Sequence, residues 1–304
     1  MKLVYEDKDI SDYINFSKAE FTDNAGNVAD SVELILNDPK GTWSDWNPKK
    51  NDKLIISQDG LSTGTMYIDE IGQQRGTFIL RALSIPQKAK NSNTQSWETV
   101  RFLEFATEIA LRYGFSIETY GIENYLYERV DQYEESDFVF LARRCLLEGY
   151  VLKIADNKVI IYDESYIESQ SAKEIYASLF DGDYKFLNKS SEIYNSCELM
   201  CGGMKASYSP SNAPNGPILK CSDIYFYSLD EGNRFAKNIL RSKNKYETTG
   251  VFALKLNTEL TAGSNTSITG VGILDGKYIC EQTRHNFVND GRTNFRVRKI
   301  LEGY

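Results

Sequence analysis

The chain has 304 residues, with 43 Asp or Glu against 35 Lys or Arg and a formal net charge of −8. That balance argues against general binding to nucleic-acid phosphates, which needs clustered cations. No apolar run approaches the roughly 18–20 residues that cross a bilayer, so no membrane insertion is expected. Five cysteines, an odd number with no CxxC pair, argue against a disulfide framework and read as reduced, buried thiols.

The length suits about two domains, or three small ones, each with its own core. The opening M-K-L-V-Y-E-D-K-D-I turns acidic before a signal-peptide core can form, so the chain is expected to be made in the cytoplasm. Aromatics at 12%, with Val, Ile and Thr in short runs between Gly, Asn and Asp clusters, favour strands. From Met1 to Pro86 the signals are strands and turns. Val32, Leu34 and Leu36 alternate with Glu33, Ile35 and Asn37, Leu54 to Ser57 follows, and Gly64–Ile71 with Thr77–Leu83 makes a hairpin. Residues 87–96 read as a polar linker. A helix is expected after Ser96, with Leu103, Ala106, Ala110 and Tyr113 on one stripe and Gly114 as its stop.

The most informative stretch runs from Gln132 to Tyr162. Ser136 is placed to cap a helix, with Glu134, Glu135 and Asp137 beside its positive dipole end. Phe138, Leu141, Ala142 and Cys145 fall at i, i+3, i+4 and i+7, while Val139, Phe140 and Leu147 lie on other faces, so the helix is expected to be packed from two sides. Gly149 sits at the left-handed C-terminal position, and two strand-like runs follow around Asp156-Asn157. Beyond this, residues 163–190 carry no clear pattern, and residues 202–217, rich in Pro and Gly, read as an exposed loop. Ser228-Leu-Asp-Glu231 has capping-box spacing ahead of Phe235, Ala236, Ile239 and Leu240. Strand patterns return from Val251, with turn signals at Asp275-Gly276 and Asp290-Gly291.

The run Q-x-x-E-S-D-F-x-F-L-x-R from Gln132 to Arg143, followed by Glu148-Gly149-Tyr150 and a hairpin, resembles the core signature of the phage late control D tail-hub proteins. It is similar too to the related valine-glycine-repeat spike hubs of type VI secretion. Ser96-Trp97, Arg112-Tyr113-Gly114, Ala262-Gly263, Asp275 to Ile279, His285 and Asp290-Gly291 extend the likeness over most of the chain from about residue 85.

Several constellations invite chemistry. Asp69-Glu70 and Glu134-Glu135 are adjacent carboxylates, but neighbours on a strand face opposite ways, and no acid and base pair for a glycosidase is marked. Cys197, Cys201, Cys221 and Cys280 with His285 offer a loose set of zinc ligands. His285 is the lone histidine, and no G-x-S-x-G elbow accompanies it. No GxGxxG, Walker A or EF-hand pattern occurs. Arg292, Asn294, Arg296 and Arg298 share one strand face, read either as a solvated face or as a basic strip for an acidic partner.

The fold class expected is α+β and strand-rich, with two small β-barrel-like domains and an intervening αβ domain. Residues 1–86 are taken as the first β-barrel-like domain and 87–165 as the αβ domain. Residues 166–190 are a connecting segment, open to a return to the first barrel, and 191–304 form the second β-barrel-like domain. The resemblance implies a non-enzymatic baseplate hub of a phage tail or tail-like bacteriocin. It implies a homotrimer that joins tail tube and other baseplate proteins to a central spike, made in the bacterial cytoplasm and released within the particle. With the last strand ending near Tyr304, the spike is expected to be a separate polypeptide. No catalytic, cofactor-binding or metal-binding residue is assigned. The rival readings are a surface-glycan or receptor-binding β protein and a cell-wall hydrolase.

Overall fold

Alternation becomes pleat in the N-terminal third. Val32, Leu34 and Leu36 on the strand Ser31–Asn37 and Phe78, Leu80 and Ala82 on Thr77–Leu83 all turn into one buried cluster. The hairpin from Met66–Gln74 to Thr77–Leu83 pairs Gln74 with Thr77, and its tight turn uses Gly76 at φ +76°, a conformation that costs glycine little. The structure is a computed structural model and describes residues 1–288 and 291–304, so the expected turn residue Asp290 lies outside the described residues.

The strand-rich α+β class holds, but the strands do not close into two barrels. Residues 20–24 of Phe16–Asn24 pair antiparallel with residues 282–286 of Gly276–Asn286. That seam fuses N-terminal and C-terminal strands into one 14-stranded sheet. Its path runs from Lys185–Asn188 through Thr248–Lys255, Arg292–Lys299 and Gly276–Asn286, crosses to Phe16–Asn24, and continues to the N-terminal hairpins. Two apolar cores line it, one around Leu34, Ile56 and Leu80, the other around Phe252, Tyr278 and Phe295.

Residues 163–190, unreadable in sequence, hold a helix, Glu164–Ser169, and two strands. Lys173–Tyr176 pairs parallel with Asn265–Thr269, and Lys185–Asn188 pairs with Thr248–Lys255, so this segment joins the C-terminal strands rather than the N-terminal ones.

The middle of the chain differs from expectation at its start. Residues 92–101, expected as the end of the 87–96 linker and the start of a helix, are a strand, Ser92–Arg101, paired antiparallel with Leu126–Ser136. Only Trp97 and Val100 of that strand are buried, so its polar composition hid it. Phe102–Arg112 and Asp137–Glu148 are the two expected helices, with Gly114 and Gly149 at φ +73° and +77° just past their ends. The hairpin Tyr150–Ala155 to Lys158–Asp163 turns at Asp156-Asn157 as read. Residues 204–208, expected in a loop, form the strand Met204–Tyr208 of a small sheet with Ser196–Cys201 and Ile218–Cys221. The helix Leu229–Asn244 covers that sheet. Its Gly232 allows the approach, since a Cβ there would lie 2.6 Å from the Ala206 side chain. Packing thus cuts across the expected 191–304 unit, because this sheet and helix share the core of Phe105, Phe140 and Leu141.

Candidate functional site

The residues of the central motif converge on one carboxylate. Asp137 opens the helix Asp137–Glu148 with its side chain fully buried. It accepts hydrogen bonds from Gln132 Nε2 at 2.9 Å, Asn93 Nδ2 at 2.9 Å, Tyr113 Oη at 3.0 Å and Arg112 Nη1 at 3.2 Å. Burial pushes its pKa up, but these donors and the Arg112 charge outweigh burial and hold it below the usual carboxylate value. Gln132 and Asp137 are thereby tied to Arg112 and Tyr113 of the preceding helix. The expected cap is different: Ser136 stands at the N-cap and still pairs with Ser92 in the ribbon, but its hydroxyl makes no capping bond. Glu134 sits on the ribbon's bulge at φ +48°, and Glu135 reaches Arg143 at 2.5 Å.

The helix packs on one side against Phe105 and Trp97 and on the other against Leu229–Asn244. Val139, expected on one of its packed faces, lies instead on a wet one at 59% exposure. At its C-terminal end Glu148 accepts from Tyr127 Oη at 2.5 Å and Arg234 Nε at 2.6 Å, and Asn238 Nδ2 donates to the Leu147 carbonyl. Gly149 lies against Asn238, whose Oδ1 would be 2.8 Å from a Cβ.

Two buried ionic clusters tie the middle of the chain to the large sheet. On the hairpin, Lys153 Nζ pairs with Asp23 and lies 3.4 Å from Asp30, while Asp23 Oδ2 accepts from the Ala262 backbone N–H. Burial raises the Asp30 pKa to about 7, with Lys153 opposing and Asp23 adding to it. On the other cluster Arg298 lies 2.9 Å from Glu164, 2.6 Å from Glu168 and 2.5 Å from Glu281, and Lys245 and Arg241 also reach Glu164. Burial alone would raise Glu164, yet Arg298, Lys245 and Arg241 bring it down to about 2. Arg298 therefore leaves the expected basic strip. The helix Glu164–Ser169 and its acids cover it, and its side chain has no exposure.

The other candidate chemistries separate in space. His285 is buried between Thr283 Oγ1 at 2.9 Å and Thr293 Oγ1 at 3.1 Å and stacks near Phe21 and Phe287; burial lowers its pKa. Cys197 and Cys221 contact each other in the small sheet, whereas Cys280 lies on the large one. Burial pushes the Cys197 thiol up to about 12. All five cysteines are free, and among the described residues no group of three His, Cys, Asp or Glu is arranged to hold a metal ion. Asp69 pairs with Lys90.

What remains open is a groove of about 1010 Å³. Its floor is the outer face of Thr248–Lys255, Arg292–Lys299 and Gly276–Asn286, with residues 24–28 on one side and Lys185–Asn188 on the other. Arg296 and Asn294, two of the expected strip, face it, joined by Arg284 and Lys185 from neighbouring strands that sequence reading did not connect.

No protein-family model matches the chain, and no curated protein does. Solved structures do. The 43 kDa tail protein of prophage MuSo2 from Shewanella oneidensis superposes with a TM-score of 0.77 at 10% identity, over 98% of this chain and 97% of that one. A tail protein from Neisseria meningitidis MC58 gives 0.75 at 12% identity, over 98% and 95%. An E. coli component of the type VI secretion system, described as structurally similar to T4 bacteriophage tail proteins, gives 0.66 at 10% identity, over 100% and 78%. The chain has the fold of these phage tail and type VI secretion proteins, as the resemblance of its central motif implied.

Proposed function

We propose that this protein is a structural baseplate hub of a contractile injection particle, a phage tail or a tail-like bacteriocin. The observation that carries this is the end-to-end fold likeness to tail proteins, 98% of this chain against 97% of the Shewanella one. The motif residues support it, because Gln132, Asp137, Arg112 and Tyr113 are spent on one buried hydrogen-bond cluster rather than on a reactive site. In this reading three chains close a ring. Each contributes two strand-rich lobes, so a trimer presents six similar surfaces to a sixfold tube and a true threefold face to a trimeric spike. The chain is made in the bacterial cytoplasm, assembles with tube, spike and other baseplate proteins, and catalyses nothing. Density of a purified particle tests this: a threefold layer between tube and spike, with two lobes per chain, is expected. A chain that stays monomeric with every tail component and is absent from purified particles would overturn it.

A further inference from the structure

The groove beside Lys185–Asn188 is cationic on a chain whose net charge is −8. Lys185, Lys189, Arg284 and Arg296 are all exposed and line it. Arg284 Nε is 3.5 Å from Glu20, whereas Lys185, Lys189 and Arg296 form no ion pair or side-chain hydrogen bond among the described residues. The groove's own acids do not answer them. Glu164 and Glu281 are turned to Arg298, which leaves Glu192 as the exposed carboxylate of the lining. Side chains of one sign around a concave surface favour an occupant of the opposite sign.

Register lays these groups in a line. Lys185 is opposite Val251, Val251 opposite Arg296, Arg296 opposite Gln282 and Gln282 opposite Asn24. With strands about 4.8 Å apart, Lys185 and Arg296 stand on the order of 10 Å from each other. Apolar side chains are set among them, Val28 at 66% exposure, Val251 at 46% and Leu187 at 41%. Lys185–Asn188 is also the end strand of the sheet path, paired on one side with Thr248–Lys255, so its outer main chain is open to another strand.

We propose that this groove takes an extended acidic segment of a partner protein, its carboxylates on Lys185, Lys189, Arg284 and Arg296 and its alternate apolar side chains on Val251 and Leu187. The apolar positions and the open strand edge select a polypeptide over a nucleic acid, whose backbone offers neither matching side chains nor amide groups.

The intact chain tests this apart from any hub role, by fluorescence anisotropy with a labelled peptide of alternating Glu and Val. Saturable, salt-sensitive binding is expected. The double variant Lys185→Glu/Arg296→Glu, checked for native circular dichroism, should weaken it about tenfold or more. Lys50→Glu, a charge reversal outside the groove, should leave it unchanged, and a Glu–Ser peptide should bind less well than Glu–Val. Absence of saturable binding, equal affinity in the double variant, or displacement of the peptide by an oligodeoxynucleotide at equal concentration would each overturn the proposal. If it fails in any of these ways, the hub reading still stands or falls on particle density alone.

Discussion

The two buried ionic clusters both tie the middle of the chain to the large sheet, and they differ in charge balance. Around Arg298 three cations, Arg298, Arg241 and Lys245, meet three carboxylates, Glu164, Glu168 and Glu281. Around Lys153 one ammonium meets two carboxylates, Asp23 and Asp30. Both are removed from water, so burial disfavours every charged form in each. Where the charges balance, attraction exceeds that cost and Glu164 falls to about 2; where an acid is in surplus, the surplus carboxyl rises to about 7. In the first cluster three cations outweigh burial at Glu164; in the second, burial outweighs the one ammonium at Asp30, and Asp23 adds to it.

The largest effect should come from unbalancing the balanced cluster. Arg298→Leu leaves Glu164 and Glu168 to Arg241 and Lys245 and takes from Glu281 its ion-pair partner, and removing one partner from a buried network typically costs about 3–5 kcal/mol. Urea unfolding at neutral pH measures it, and a loss below about 1 kcal/mol would mean that water already screens the cluster. Leu141→Ala supplies the uncharged reference. Leu141 is fully buried in the central core, so its truncation should cost roughly 2–5 kcal/mol through lost transfer energy and a cavity, with no dependence on pH. A cost that varied with pH would show that the core and the ionic clusters are coupled.

The acid limb of the stability curve should belong to the balanced cluster. Glu164 has its pKa depressed from the ordinary 4.5 to about 2, so its contribution is complete above the unfolded value and is lost as pH falls toward 2. Thermal melts between those limits should show the wild type losing stability on acidification and Glu164→Gln losing less. Equal slopes in the two proteins would place the acid sensitivity elsewhere.

How much of this was legible follows from the range of the interactions. The helix Asp137–Glu148, Gly149 at its end and the hairpin after it are specified by local patterns and stand where the sequence places them, although the Ser136 cap bond is not made and Val139 faces water. The ribbon strand Ser92–Arg101 falls partly in the expected 87–96 linker and partly in the expected helix, because its partner lies some thirty residues on, and Trp97 and Val100 are too sparse to show a period of two. The fold likeness was visible in Gln132, Asp137, Arg112 and Tyr113, although their reason, a shared buried carboxylate, was not. Strand alternation put Arg298 on the outer face with Arg292 and Arg296, which is the side it does take. Only the helix Glu164–Ser169, from an unpatterned stretch, turns that outer position into an interior one. The groove was half visible, since Arg296 stood in the expected strip, whereas Lys185 and Arg284 join it through pairings that no local pattern reports.

The smallest effect, and the most specific, concerns Asp30. Its folded pKa is raised from 3.8 to about 7, so between those values the folded chain keeps a proton that the unfolded chain has released. Stability from this group therefore falls as pH rises through that window, opposite in direction to the Glu164 limb. Asp30→Asn puts a permanently neutral side chain there. Its Oδ1 can still accept from the Asn24 backbone N–H, now at 2.8 Å, and Lys153 keeps Asp23 as its partner. Near pH 4, where the folded wild type also carries a neutral side chain at this position, the change should cost within about 1 kcal/mol, the size of one hydrogen-bond adjustment. The difference between wild type and variant, followed by urea unfolding from pH 4 to pH 8, should move steadily in the variant's favour as pH rises. Parallel curves would show that Asp30 is ionised throughout, that Lys153 carries both carboxylates as anions, and that charge surplus alone does not raise a buried acid in this fold.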